Sequence, residues 1–183
     1  FSRVFRVYAS VMFCCAAGVI WLCQPMMHIF RQDYFLGWQF VPFLTLASLC
    51  TCLNNFLNSV YVVYKRSTSS LYTMLAGAVV NLILNFFFIQ WLGPWGVTLA
   101  SFLSLLLVFL LRAYSTRGLL VIDFHPGWML LNLSLILVEI VILFTLENWV
   151  LPVTLLTALV CALNFREVFT MLQKLLGMAK RKK

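Results

Sequence analysis

Two groups of polar side chains lie within long apolar segments of this sequence, where a polar group must find a partner or face water. The first group is Thr51, Asn54 and Asn58, whose spacing of three and four residues places them on one face of a helix. The second is Asn81 and Asn85, four residues apart on the next apolar segment. Amide and hydroxyl groups can join neighbouring helices by hydrogen bonds or form the wall of a hydrophilic cavity. The sequence leaves both interpretations open.

Glu139 is the only acidic residue deep inside an apolar segment. An ionisable group at such a depth is a candidate proton carrier, and we therefore consider Glu139 for a role in proton coupling. Asn132 lies seven residues earlier on the same helical face and could lie near it. Alternatively, Glu139 simply forms a hydrogen bond with an Asn or Ser of a neighbouring helix.

No combination of residues typical of an enzyme or a metal site accompanies these groups. Intramembrane catalysis needs paired acids, a nucleophile with a base, or a His and acid cluster, and Glu139 has no second acid or His at its depth. The cysteines lack the spacing of zinc, haem or redox motifs and are expected to act as small apolar side chains. They are Cys14, Cys15, Cys23, Cys50, Cys52 and Cys161. We predict that the protein is not an enzyme and needs no metal or cofactor.

The elements that position these residues are membrane-spanning helices. The chain is 63% hydrophobic and only 10% charged, with a mean hydropathy of +1.00, which is too apolar for an ordinary soluble domain. A helix needs about 20 apolar residues to cross the hydrocarbon layer. The sequence contains six such segments, about Val4–Cys23 (stopped by Pro25), Phe40–Tyr64, Leu71–Trp91, Val97–Ala113, Trp128–Leu146 and Trp149–Phe165.

The basic residues lie at alternate ends of these segments. Twelve of the 13 Lys and Arg residues follow this rule. The intervening turns, around Asp33, residues 93–96 and Glu147, contain only Arg31. The twelve are Arg3, Arg6, Lys65, Arg66, Arg112, Arg117, Arg166, Lys174, Lys180, Arg181, Lys182 and Lys183. Cytoplasmic loops retain Lys and Arg during insertion. We therefore attribute the net charge of +8 to topology and not to nucleic acid binding, and identify no cationic substrate-binding residue.

These observations predict an all-α polytopic membrane protein with six transmembrane helices and both ends in the cytoplasm. Residues 1–163 form the transmembrane domain, and residues 164–183 form a basic amphipathic tail helix on the cytoplasmic leaflet or, alternatively, a helix that binds a partner protein. The expected location is the cytoplasmic membrane. Because the sequence begins with Phe1, we expect it to be a portion of a longer chain.

The stretch from Pro42 to Arg112 resembles the C-terminal half of polysaccharide-export and O-antigen flippases. These transporters of lipid-linked oligosaccharides belong to the superfamily that also contains the multidrug and toxic-compound extrusion proteins. The resemblance consists of the basic turn Lys65-Arg66, the segment Asn81-Leu-Ile-Leu-Asn85, the turn and helix start Gly93-Pro-Trp-Gly96-Val-Thr-Leu-Ala100-Ser101, and Arg112. It covers about residues 1–120, and the last two helices with the tail resemble the extra pair of many members.

The resemblance implies a flippase that carries polyprenyl-diphosphate-linked oligosaccharide across the membrane for polysaccharide biosynthesis. Members work by alternating access between two helical bundles, so this chain would need the missing N-terminal half as a partner. In this interpretation Thr51, Asn54, Asn58, Asn81 and Asn85 face the substrate pathway.

Two alternatives remain open at the level of sequence. The first is a relative that exports drugs or other small cations, which would favour more acidic residues in the cavity than a single Glu139. The second is a membrane scaffold that transports nothing.

Overall fold

A computed structural model describes residues 2–27, 37–116, 125–146 and 148–181. These residues form six α-helices and no strand: α1 (Ser2–Met27), α2 (Val41–Val63), α3 (Ser67–Leu92), α4 (Pro94–Thr116), α5 (Pro126–Thr145) and α6 (Val150–Arg181). All six are long and apolar enough to span a membrane. The all-α, six-span prediction is therefore confirmed. Arg31, Asp33, Arg117, Glu147, Lys182 and Lys183 lie outside the described residues, and the cytoplasmic position of the two ends stays a prediction.

Two helix boundaries differ from expectation. Helix α1 continues through Pro25 to Met27, because a proline in the last turn of a membrane helix removes little hydrogen bonding. Helix α6 runs without interruption from Val150 to Arg181, since neither proline nor glycine interrupts it between the apolar span and Gly177. No break therefore separates the sixth span from the tail at residue 163, and the surface position of the tail stays a prediction.

The helices form two compact units. The first, here called the α2–α4 unit, contains α2, α3 and α4. The second, the α1/α5/α6 unit, contains α1 as far as Leu22 together with α5 and α6.

In the α2–α4 unit, α4 packs along both other helices, whereas α2 and α3 make few contacts with each other. At one end the indole of Trp95 packs against the rings of Phe40 at 5.3 Å and Phe43 at 5.9 Å between centroids. Because only α4 bridges α2 and α3, a gap remains between these two helices. Thr51, Asn54, Asn58 and Asn81 lie along that gap.

Small residues allow α3 and α4 to approach each other closely. Gly96, Ala100 and Ser104 recur every four residues on α4, and all three are buried, as small residues at a close helix contact are. Gly77 on α3 leaves no room for a side chain, because an added Cβ would lie 2.2 Å from Cγ2 of Val108. Gly93, between the helices, has a φ of +58° that L-residues rarely adopt.

The α1/α5/α6 unit contains the longest helix, α6, packed against α5. Helix α1 joins them through Phe13, whose ring meets that of Trp128 edge-on at 5.7 Å. Arg6 lies over the same indole at 5.8 Å, and its Nε is 3.3 Å from Oε1 of Glu167. The start of α1, the start of α5 and the later part of α6 therefore meet at one end of this unit.

Replacing Gly77 by Leu is expected to destabilise the α2–α4 unit by about 1–3 kcal/mol, the usual cost of overpacking. The new side chain would enter the space of Val108. Thermal unfolding of the purified protein in detergent measures the effect. The matched control is Ala76→Leu, at the preceding and exposed position of the same helix. Equal unfolding temperatures for the two variants would contradict the close packing of α3 on α4.

Candidate functional site

A cavity of about 350 Å³ occupies the gap between α2 and α3, with α4 as its floor. Its volume falls at the lower end of the roughly 300–1,000 Å³ found for ligand pockets. The lining residues come from all three helices of the unit: Thr51, Asn54, Asn55, Asn58, Met74, Gly77, Ala78, Asn81, Ser101, Ser104, Leu105, Val108 and Arg112. Four of the five predicted pathway residues are among them.

The polar face of α2 forms one wall. Thr51, Asn54 and Asn58 all line the cavity, as a single helical face requires. Asn54 donates from Nδ2 to the carbonyl oxygen of Leu105 at 3.0 Å and is only 4% exposed. Its Oδ1 is buried and has no hydrogen-bond partner among the described residues. Asn54 thus joins α2 to α4 and keeps one acceptor atom unused at the cavity.

The asparagines of α3 form a directed series of hydrogen bonds. Asn85 Nδ2 donates to Asn81 Oδ1 at 2.9 Å, Asn81 Nδ2 donates to Ser104 Oγ at 2.9 Å, and Ser104 Oγ donates to the carbonyl oxygen of Ser101 at 3.0 Å. Asn81 lines the cavity, whereas Asn85 does not and lies behind it in the series. Both interpretations of the sequence therefore apply to Asn81, which joins two helices and lines the cavity.

Arg112 is the functional candidate that the sequence analysis missed. It is 3% exposed and lines the cavity. From α4 its guanidinium reaches both neighbouring helices: Nη1 donates to the carbonyl oxygen of Asn54 at 2.9 Å, Nε to Thr73 Oγ1 at 3.1 Å, and Nη2 to Ser70 Oγ at 3.3 Å. The Ser70 hydroxyl in turn donates to Oδ1 of Asn58. The expected end of the span at Ala113 had placed Arg112 at the membrane surface, but α4 continues to Thr116 and buries it.

Within the described part of the chain, the charge of Arg112 has only neutral partners. Each acceptor given above is a carbonyl or hydroxyl oxygen, and none of the described residues that line the cavity is Asp or Glu. A buried cation without a counter-charge is costly, and a bound anion removes much of that cost. The cavity is therefore suited electrostatically to an anionic group flanked by hydrogen-bonding groups.

Glu139 belongs to the α1/α5/α6 unit and does not line this cavity. It is completely buried, and its Oε1 lies 2.7 Å from the hydroxyl oxygen of Thr157 on α6. Asn132 pairs instead with Asn164, whose Nδ2 donates to Asn132 Oδ1 at 2.6 Å. The partner of Glu139 is thus Thr157, and not the Asn or Ser expected from the sequence. Thr157 and Asn164 repeat on α6 the seven-residue interval of Asn132 and Glu139 on α5, a signal that could have identified the two pairs.

The cysteines are free thiols, and the described part of the chain contains no cluster of His, Cys, Asp or Glu able to hold a metal ion. Comparisons with protein-family models, with curated proteins and with solved structures found no match to this chain.

Replacing Arg112 by Gln is expected to lower the free energy of unfolding by roughly 1.5–3 kcal/mol, the cost of losing hydrogen bonds to a charged group. Gln cannot reach acceptors on α2 and α3 together. Arg66→Gln, at an exposed position just before α3, is the control and should change stability by less than about 0.5 kcal/mol. If chemical or thermal unfolding in detergent places both variants at the same stability, Arg112 does not connect the three helices.

Proposed function

We propose that this chain is part of a membrane transporter that carries polyprenyl-diphosphate-linked oligosaccharide across the cytoplasmic membrane by alternating access. The observation that carries the proposal is a cavity between membrane-spanning helices. Its wall combines a buried cation, Arg112, which has no acidic partner among the described residues, with the amides of Asn54, Asn58 and Asn81. A diphosphate joined to a sugar presents an anion followed by hydroxyl groups, which is the chemistry that such a wall can bind.

The arrangement of the groups supports this orientation of the substrate. Arg112 contacts Ser70 and Thr73, near the start of α3 that follows the basic turn Lys65-Arg66. By the positive-inside rule this end of the unit faces the cytoplasm. In the proposed complex the diphosphate lies at Arg112 near the cytoplasmic end, and the first sugar lies deeper, between Asn54 and Asn81. Asn85 positions Asn81 through their mutual hydrogen bond.

The cavity holds only part of the substrate. A volume of about 350 Å³ suits the diphosphate and adjoining sugar, while the polyprenyl chain remains in the bilayer. The proposal therefore assigns this chain a headgroup-binding role within a larger assembly, with a second helical bundle completing the pathway. Export of small cations is disfavoured, because Arg112 would repel them and no acid lines the cavity.

Binding of a defined lipid tests the proposal directly. The probes are a polyprenyl diphosphate and the polyprenol of the same chain length, added to the purified chain in detergent and followed by native mass spectrometry. We expect the diphosphate to bind more tightly, and we expect the double variant Asn58→Ala, Asn81→Ala to lose about tenfold in affinity, or 1.4 kcal/mol. Ser59→Ala, on the exposed side of α2 next to Asn58, is the control that should bind as the unmodified chain does.

The cellular counterpart of this test uses surface polysaccharide as the readout. The same double variant, introduced into the protein in the cell that produces it, should reduce surface polysaccharide while the Ser59→Ala variant leaves it unchanged. Equal binding of polyprenol and polyprenyl diphosphate, or normal surface polysaccharide in the double variant, would refute the assignment of this cavity to the substrate pathway.

A further inference from the structure

A second polar cluster lies in the α1/α5/α6 unit and shares no residue with the cavity of the α2–α4 unit. Its members are two pairs between α5 and α6, Glu139 with Thr157 and Asn132 with Asn164. Glu139, Asn132 and Asn164 are completely buried. The asparagine pair is a hydrogen bond of the kind that holds membrane helices together.

The hydroxyl oxygen of Thr157 has two neighbours at hydrogen-bond distance. It lies 2.7 Å from Oε1 of Glu139 and 2.9 Å from the carbonyl oxygen of Val153. A threonine hydroxyl carries one proton and can also accept through its lone pairs. Donation to the carbonyl four residues earlier is the common local bond of a helical threonine. With that proton given to Val153, the contact with Glu139 is a hydrogen bond only if Glu139 supplies the proton.

The surroundings of Glu139 contain no charge that would stabilise a carboxylate. Its second oxygen, Oε2, is buried and has no partner among the described residues, and no ion pair involving Glu139 is formed within them. An ionised carboxylate in such a position would bear its desolvation cost with no opposite charge among the described residues and with a single hydroxyl as a possible donor. A neutral Glu139 avoids this cost and donates a hydrogen bond to the hydroxyl oxygen of Thr157.

The other titratable groups of the unit have partners elsewhere or lie in solvent-exposed or lipid-exposed positions. On α6, Glu167 is paired with Arg6 of α1, ten residues or about 15 Å along the helix from Thr157. The thiol of Cys14 on α1 lies against that of Cys161 on α6. Of the remaining groups whose side chains are described in this unit, Tyr8 is half-buried, and Arg3, Cys15, His125 and Arg166 are exposed.

We propose that Glu139 and Thr157 form a proton-binding site in which Glu139 is a neutral carboxylic acid that donates its Oε1 proton to the Thr157 hydroxyl. The ligand of this site is a proton and not a metal cation, since one carboxyl and one hydroxyl supply too few oxygen ligands for Ca²⁺ or Mg²⁺. Release of the proton leaves Glu139 as a carboxylate and Thr157 with two acceptors competing for one hydroxyl proton. The site therefore couples the charge of Glu139 to the packing of α5 on α6. It does not depend on the proposed substrate.

Infrared spectroscopy of the protein in lipid bilayers tests the proposal. A protonated carboxyl has a C=O stretching band that a carboxylate lacks, and growth on ¹³C-labelled glutamate distinguishes glutamate bands from aspartate bands. At neutral pH we expect the unmodified chain to show the C=O band of a protonated glutamate, shifted by its hydrogen bond to Thr157. This band should be absent from Glu139→Gln and retained in Glu167→Gln. Raising the pH should convert this band into carboxylate bands in the unmodified chain, a measurement that needs no variant.

Two variants of Thr157 test the geometry. Thr157→Val removes the acceptor and should move the carbonyl band to the position of a carboxyl that donates no hydrogen bond, whereas Thr157→Ser should leave it in place. The proposal is overturned if the labelled protein shows only carboxylate bands for glutamate at neutral pH, or if the protonated band persists in Glu139→Gln. If the position of the protonated carboxyl band is the same in Thr157→Val as in the unmodified chain, Thr157 is not the acceptor of the Glu139 proton. None of these outcomes bears on lipid binding by the α2–α4 unit.

Discussion

The bridging of three helices by the guanidinium of Arg112 is the interaction on which the α2–α4 unit depends. Lipid offers no water to satisfy a buried charge, so the donors of Arg112 must be met by protein groups. They are met by Asn54 on α2 and by Ser70 and Thr73 on α3, while the side chain itself originates on α4. This holds α2 and α3 at a fixed separation at one end, and the packing of Trp95 on Phe40 and Phe43 fixes α2 on α4 towards the other. The cavity is the space left between these two attachments.

The asparagines show why stabilising a membrane protein and lining a cavity in it are not competing roles. An amide has two donor hydrogens and two acceptor lone pairs, more than one neighbouring helix uses. Asn54 gives its NH₂ group to Leu105 and retains its oxygen, and Asn81 gives its NH₂ group to Ser104 while accepting from Asn85. The same residue can therefore join two helices and line the cavity.

The sequence was sufficient for the helices and for four of the polar residues that line the cavity, because both follow from strong local constraints. Hydrocarbon thickness requires long apolar helices, and helical periodicity brings Thr51, Asn54 and Asn58 to one wall.

The features that the sequence did not reveal depend on where each helix ends and on which helix faces meet. Arg112 was assigned to topology because a difference of three residues in the end of α4 separates a surface position from a buried one. Thr157 was overlooked because threonine is common in membrane helices and its importance arises only opposite Glu139. The continuity of α6 past residue 163 was missed because the amphipathic pattern of the tail suggested a separate helix.

The two polar pairs between α5 and α6 have a consequence for motion. Residues 132 and 139 face residues 164 and 157, so each pair joins positions at matching distances along two antiparallel helices. Sliding one helix by a single turn, about 5.4 Å, would separate both pairs at once and leave four polar side chains in an apolar interior. Rotating one helix about its axis would do the same. While both pairs are intact, α5 and α6 are therefore held in one register, and sliding of one helix along the other is disfavoured.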